Sequence, residues 1–365
     1  MNTHTQTSVS VQTEGALREY HVLISVTDPS LRFETQLEAV LLAFSQAAEG
    51  RTVHFRRFFL SDAVNQYPLL QQALLPLPPM PTSVVQQAPL DGTRIALWLY
   101  ATEPMDCQYG MPTHNGYTHC WSASLTSPGT DSCRQMDGIF RSLEGQLAES
   151  GLTVARNTLR TWIFARDVDI DYPGVVEGRK SYFESIGLTA GTHYIASTGI
   201  EGRAPDPHDL VEMDAYSVGG LKDGQQRYLH ARDHLNRTSD YGVTFERGTV
   251  VTYGDRRHVF ISGTASIDAA GNVLHPGDAA AQTRRMLDNV RALLSESGAS
   301  FEDVVMAIVY LRDPADSPQV RKVIRQCGLS FLPLFVHAPV CRPAWLVEME
   351  CIAITATGDK AFPAF

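Results

Sequence analysis

An α+β fold of three related units, arranged as a pseudo-trimer in one chain, is predicted by three features that recur along these 365 residues. Amphipathic helices appear three times. A strand ending in aromatic-x-x-Asp follows each of them. Two later strands also share a pair of alternating acids, "LVEMD" and "LVEME". The spacing divides the chain into a flexible tail (1–18), a degenerate unit (19–105), a second unit with a connecting loop (106–240) and a full unit (241–365).

In chain order, "FETQLEAVLLAF" places Phe33, Leu37, Val40, Leu41 and Phe44 on one helical stripe. "RQMDGIFRSLEGQL" does the same with Met136, Ile139, Phe140, Leu143 and Leu147. "AQTRRMLDNVRALL" repeats it with Met286, Leu287, Val290, Leu293 and Leu294. The strands that follow end in "FLSD" (Asp62), "FARD" (Asp167) and "YLRD" (Asp313). Gln36, Gln135 and Gln282 stand 26, 32 and 31 residues before those aspartates. A second helical or loop segment comes next, then a closing strand: "TRIALWLYA", "HDLVEMDAYSV" or "AWLVEMECIAI". The third unit adds an opening strand pair, "GTVVTYG" and "HVFISGTASID", joined around Gly254 and Asp255, and Pro276, Gly277 and Asp278 supply turn and N-cap chemistry. Strand, strand, helix, strand, helix, strand implies a mixed sheet with both helices on one face. Three such sheets cover their open faces by packing around a pseudo-threefold axis, which leaves grooves between neighbouring units for sites.

Composition excludes several function classes. Charged residues make up 19% of the chain and hydrophobic residues 44%, as in an ordinary globular protein. A formal net charge of −10 with no basic patch argues against a nucleic-acid surface. No apolar run is long enough to span a bilayer, so no membrane partner is expected. The polar start "MNTHTQTSVSVQTEG" lacks a basic segment followed by an apolar core, so it reads as a tail rather than a signal peptide, and a cytoplasmic location is expected. Cys107, Cys120, Cys133, Cys327, Cys341 and Cys351 are scattered without a CxxC pair or a histidine at metal-site spacing, and free thiols are the expectation. With no phosphate-binding or metalloprotease motif either, neither metal nor organic cofactor is expected.

The closing strand of the third unit holds the densest chemistry. Glu348 and Glu350 share one face, about 7 Å apart by the two-residue strand rise. Two neighbouring buried carboxyls raise one pKa, which makes a proton donor at neutral pH, whereas two solvated strand-edge glutamates make none. Both readings are open from the residues alone. Glu212 and Asp214 occupy the matching slots in the second unit and read as structural; Ala96 and Trp98 occupy them in the first.

"ISGTASIDAAGNVLHPGD", Gln282, Asn289, "EDVVMAIVYLRD" and "VCRPAWLVEMECIAI" resemble the RidA/YjgF family, whose members are normally trimers of one such domain. The resemblance implies RidA/YjgF-like (chorismate-mutase-like) units, covers about residues 245 to 357 well, and covers the earlier units weakly. The fused architecture, with "HYIASTGIEGR" and "HLNRTSDYGVTFERGT", is similar to the chorismatases. That similarity implies cleavage of the enolpyruvyl ether of chorismate, with release of pyruvate and no cofactor, by a monomer with internal pseudo-threefold symmetry. It places the catalytic acid on Glu348. Gly254 and Cys341 match residues that mark the branch forming 3-hydroxybenzoate, where pocket shape and a weakly polar thiol decide which group attacks. Arg342 matches an arginine that RidA proteins use for a substrate carboxylate. Arg203, from the middle unit, and Tyr194 are further substrate-binding candidates, each equally readable as a solvated loop arginine or a buried sheet tyrosine. The alternatives are a hydrolytic chorismatase giving a dihydroxycyclohexadiene carboxylate, a RidA-type enamine or imine deaminase, and a non-catalytic ligand-binding module.

Overall fold

The computed structural model describes residues 4–12, 17–105, 107–108, 111–326, 329, 331 and 333–365. It contains three mixed sheets, each backed by helices. In the first unit the opening strand Glu19–Val26 pairs antiparallel with the closing strand Ile95–Thr102. That strand pairs antiparallel with Thr52–Leu60, which carries a parallel edge strand, Thr82–Gln86. The second unit repeats this order with Tyr117–Leu125, Val211–Gly219, Thr158–Ala165 and Ala196–Glu201. The third repeats it with Arg257–Ala265, Val347–Thr355, Val304–Leu311 and Leu334–His337.

The recurring residues now have physical jobs. Asp62, Asp167 and Asp313 each end a strand and accept a backbone N–H from the first turn of the helix that follows. Gln36, Gln135 and Gln282 are buried on the long helix of each unit. Their side-chain oxygens accept the backbone N–H of Arg94, Leu210 and Leu346, the residue just before each closing strand. One buried amide therefore fixes where each closing strand begins. The stripe Met286, Leu287, Val290, Leu293 and Leu294 is buried, as are its counterparts in the other long helices save Leu41.

Two expectations change. Residues 5–12, read as part of a flexible tail, form an edge strand, Thr5–Gln12, antiparallel to Glu19–Val26. The short parallel strands Thr82–Gln86, Ala196–Glu201 and Leu334–His337 lie where only a loop or helix was expected. They stitch the units together. Gln86 N donates to Arg203 O (2.8 Å), Glu201 N to Pro339 O (3.1 Å), and His337 N to Ala88 O (2.8 Å).

The inner sheet faces meet in an aromatic centre that no single unit supplies. Trp98 lies 5.9 Å from Trp162 and 6.3 Å from Trp121, ring to ring, and Trp121 stacks on Tyr216 at 4.4 Å. Large rings fill a three-way junction with few atoms of side-chain entropy lost per unit of area buried.

Candidate active site

Glu348 sits on the inner face of the closing strand, opposite Tyr310 in the sheet register, and is only 4% exposed. Two residues along the same face, Glu350 is fully buried and satisfied from the second unit. It accepts from Arg160 Nη2 (2.6 Å), Trp162 Nε1 (2.9 Å) and the Thr198 hydroxyl. Gly263 N donates to that same hydroxyl at 2.9 Å, which ties the network to the opening strand of the third unit.

Glu348 has the opposite environment. Burial, and then the Glu350 carboxylate, push its pKa up to about 8, while Arg247 and Arg160 pull the other way. Among the described residues no hydrogen bond stabilises its charged form. At neutral pH the group is a carboxylic acid. Room for it comes from Gly263, where a Cβ would stand 2.2 Å from Glu348 Oε1 and 3.1 Å from Thr198 Cγ2. Two acids on one strand face thus meet different surroundings: Glu350 a cation and donors, Glu348 burial without a hydrogen bond and its neighbour's charge.

Glu348 opens into a cavity of about 340 Å3 between the second and third units. Its walls are Tyr172 and Arg179 from the helix Val168–Ser185, Phe245 and Arg247 from the loop after residue 241, and Cys341, Arg342 and Trp345 before the closing strand. Three arginines therefore line the cavity onto which the neutral acid opens. Arg179 Nε donates to Thr244 Oγ1 (3.0 Å), while its Nη2 is buried with no hydrogen-bond partner among the described residues. Arg247 is anchored on Asn236 Oδ1 (3.0 Å), and Arg342 lies 5.1 Å from the Trp345 ring centre. Arginines gathered in the lining of one cavity are suited to carboxylates. Cys341 touches the Tyr172 hydroxyl, and burial, then the Glu348 charge, push its thiol up to about 12. It is a neutral, soft wall atom rather than a thiolate nucleophile.

Of the residues singled out from sequence, Glu348, Cys341 and Arg342 meet in this cavity; Arg203, Tyr194 and Gly254 do not. Arg203 is exposed at the junction of the first and second units, where its Nε reaches Arg166 O (3.3 Å). Tyr194 lines an adjoining cavity of about 90 Å3 that shares only the Arg247 wall with the larger one. Gly254 packs against the C-terminal segment instead: a Cβ there would lie 2.5 Å from Phe362 O, and its N–H donates to Pro363 O at 2.7 Å. Its small size serves a backbone crossing, not the cavity. Arg179 and Arg247 were not singled out. Arg247 lies inside "HLNRTSDYGVTFERGT", a stretch that carried the resemblance, so a signal existed; Arg179 has none, being one of several polar residues on a helix.

Comparison with known proteins gives the fold and site a family. The model for the family described as endoribonuclease L-PSP matches residues 249–355. The 3-aminoacrylate deaminase RutC of Acinetobacter baylyi is 35% identical over 97 residues, which span 26% of this chain and 77% of that protein. A RutC family protein of Pyrococcus abyssi is 36% identical over 97 residues, spanning 26% and 76%. A crystal structure of a chorismatase matches 95% of this chain and 100% of its own, with a TM-score of 0.65 and 18% identity, a likeness of fold across all three units. With more than two thirds of the deaminase matched at that identity, the chain belongs to the endoribonuclease L-PSP family, within the RidA/YjgF superfamily.

Proposed function

We propose that this protein is a chorismatase that converts chorismate to 3-hydroxybenzoate and pyruvate, with Glu348 as proton donor. One observation carries the reading: a carboxylic acid held neutral near pH 7 faces a cavity rimmed by three guanidinium groups. The three-unit likeness to a chorismatase supports the substrate class. A cavity of about 340 Å3 falls at the small-metabolite end of the usual range of about 300–1,000 Å3.

Chorismate carries two carboxylates, which two of Arg179, Arg247 and Arg342 pair. Glu348 then delivers its proton to the terminal methylene carbon of the enol ether, leaving an oxocarbenium ion and a Glu348 carboxylate. The neighbouring ring hydroxyl displaces the ether oxygen from its ring carbon, and the C–O bonding pair departs with that oxygen to become the ketone of pyruvate. The oxygen then bridges both ring carbons; its bond to the original carbon breaks, with the bonding pair kept on oxygen as the new phenol, and loss of the proton from the former ether carbon restores aromaticity and the Glu348 proton. No water is consumed, and the atoms of chorismate equal those of the two products. Cys341, uncharged, offers no base to activate a water, which favours the internal route over hydrolysis.

Incubation with chorismate, with pyruvate followed by coupled lactate dehydrogenase and the aromatic product by chromatography, tests the reading. Glu348→Gln should lower kcat by about 10²–10⁴ while KM stays within a few-fold. Near-normal turnover in that variant removes Glu348 from the chemistry. A second reading has one observation in its favour, the 35% identity to a 3-aminoacrylate deaminase, whose substrate is an enamine that also needs a proton on a double-bond carbon. Ammonia release from 3-aminoacrylate without pyruvate release from chorismate would select it.

A further inference from the structure

A larger cavity, about 590 Å3, lies between the first and second units. Tyr67, Leu77, Met80 and Val84 give it an apolar wall, and Arg56 and Glu212 face it from opposite units. The sheet register makes Glu212 the counterpart of Glu348: Glu212 stands opposite Phe164 and Glu348 opposite Tyr310, each three residues before its helix-capping aspartate. Asp214 likewise matches Glu350. It is buried and paired with an arginine of the preceding unit, Arg57, at 2.7 Å.

Asp214 is structural, as the sequence suggests; Glu212 is not fully accounted for. Its Oε1 accepts from the Ser124 hydroxyl, whereas Oε2 is buried without a hydrogen-bond partner among the described residues. Arg56, 3% exposed, shows the same pattern: Nε donates to Thr82 Oγ1 (2.8 Å) and Nη1 has no partner. Two residues that line one cavity thus each keep a buried polar atom without a partner, the kind of group that a ligand can satisfy. Burial pushes Glu212 up to about 8, so it donates rather than accepts near pH 7, and lowers Arg56 only to about 10, so it stays charged.

We propose that this cavity binds a small cyclic monocarboxylic acid, its carboxylate on Arg56 and an oxygen substituent on Glu212, as a site separate from the one at Glu348. The lining also holds Asp206, which is exposed, and Asp209, which is half-buried; the one arginine, buried at Arg56, against three arginines in the other cavity matches a single carboxylate rather than two. The inference stands on this cavity's own atoms and does not depend on the chorismatase reading.

Calorimetric titration of the full chain with 3-hydroxybenzoate, with 3-hydroxybenzylamine as cationic control, tests it. The wild type should show a binding event that Arg56→Met weakens at least tenfold and that Arg179→Met leaves in place. Leu77→Trp, a half-buried wall position, should weaken the same event by filling the void, and provides the answer if Arg56→Met does not fold. Absence of binding to the wild type overturns the proposal. So does binding that Leu77→Trp and Arg56→Met leave unchanged, or that Arg179→Met alone abolishes. Equal binding of the amine removes the assignment to a carboxylate.

Discussion

Replacing Glu350 by Gln removes the charge that helps keep Glu348 protonated, and the size of the effect follows from the strand. Residues two apart on one face lie about 7 Å from each other. At an effective dielectric of about 20, two unit charges at that distance repel by roughly 332/(20 × 7), or about 2.4 kcal/mol. At 1.36 kcal/mol per unit, that is a fall of about 1.7 units in the Glu348 pKa, from about 8 toward roughly 6.3. In the proposed mechanism the acid form is the active one, so kcat/KM should be flat below the pKa and decline above it. In the variant the decline begins about 1.7 pH units earlier, and activity at pH 7 drops about fivefold from protonation alone. The coupled pyruvate assay from pH 5.5 to 9.5 reads both limbs. Gln keeps acceptor and donor atoms for Trp162 and Thr198 but leaves Arg160 unpaired, so a thermal melt accompanies the profile, and the double variant with Arg160→Met restores charge balance. A limb that stays near pH 8, or moves up, refutes the claim that Glu350 holds Glu348 in its acid form. Stability carries the same signature. Because the folded pKa of Glu348 is raised, its contribution is complete below about 4.5 and is lost as pH rises through about 8.

Three further outcomes are expected. Gly263→Ala should cut kcat more than tenfold with a modest fall in Tm, because the new Cβ occupies the place of Glu348 Oε1; unchanged kcat would mean the carboxyl need not sit there. Gly254→Ala should lower Tm and leave the ratio of aromatic products as it was, since its Cβ would press on Phe362 O rather than on the cavity; an altered ratio at unchanged Tm would return this glycine to the site. Cys341→Ala should shift product toward the hydrolytic diene diol by opening a water-sized space beside Glu348, and an identical product profile would remove the thiol from product choice.

The parts legible in the sequence were those whose causes are local or repeated. A helical stripe, a capping aspartate and a glutamine that ties a loop each act within one unit, so three copies expose them three times. Residues 5–12 escaped because "TQTSVSVQ" is polar and its valines are part exposed: an edge strand held by backbone bonds needs no apolar face. Arg179 escaped for a different reason. Its place beside Glu348 depends on the docking of one unit against the next, which no short stretch encodes. Gly254 shows the limit from the other side. A glycine records that something comes close, but not whether it is a ligand or, as here, Phe362 O.

Joining the three units in one chain changes what selection can act on. In an assembly of identical subunits every substitution appears in all grooves at once, so a change that helps one must be tolerated by the others. Here each slot is encoded separately, and the three have diverged: Glu348 beside Glu350, Glu212 beside Asp214, and Ala96 beside a tryptophan at 98. One groove carries three arginines, while in the first unit the slot of the second acid holds a ring that fills the centre. A gene for the fused chain can thus mutate one site at a time, an option closed to a gene for the homotrimer.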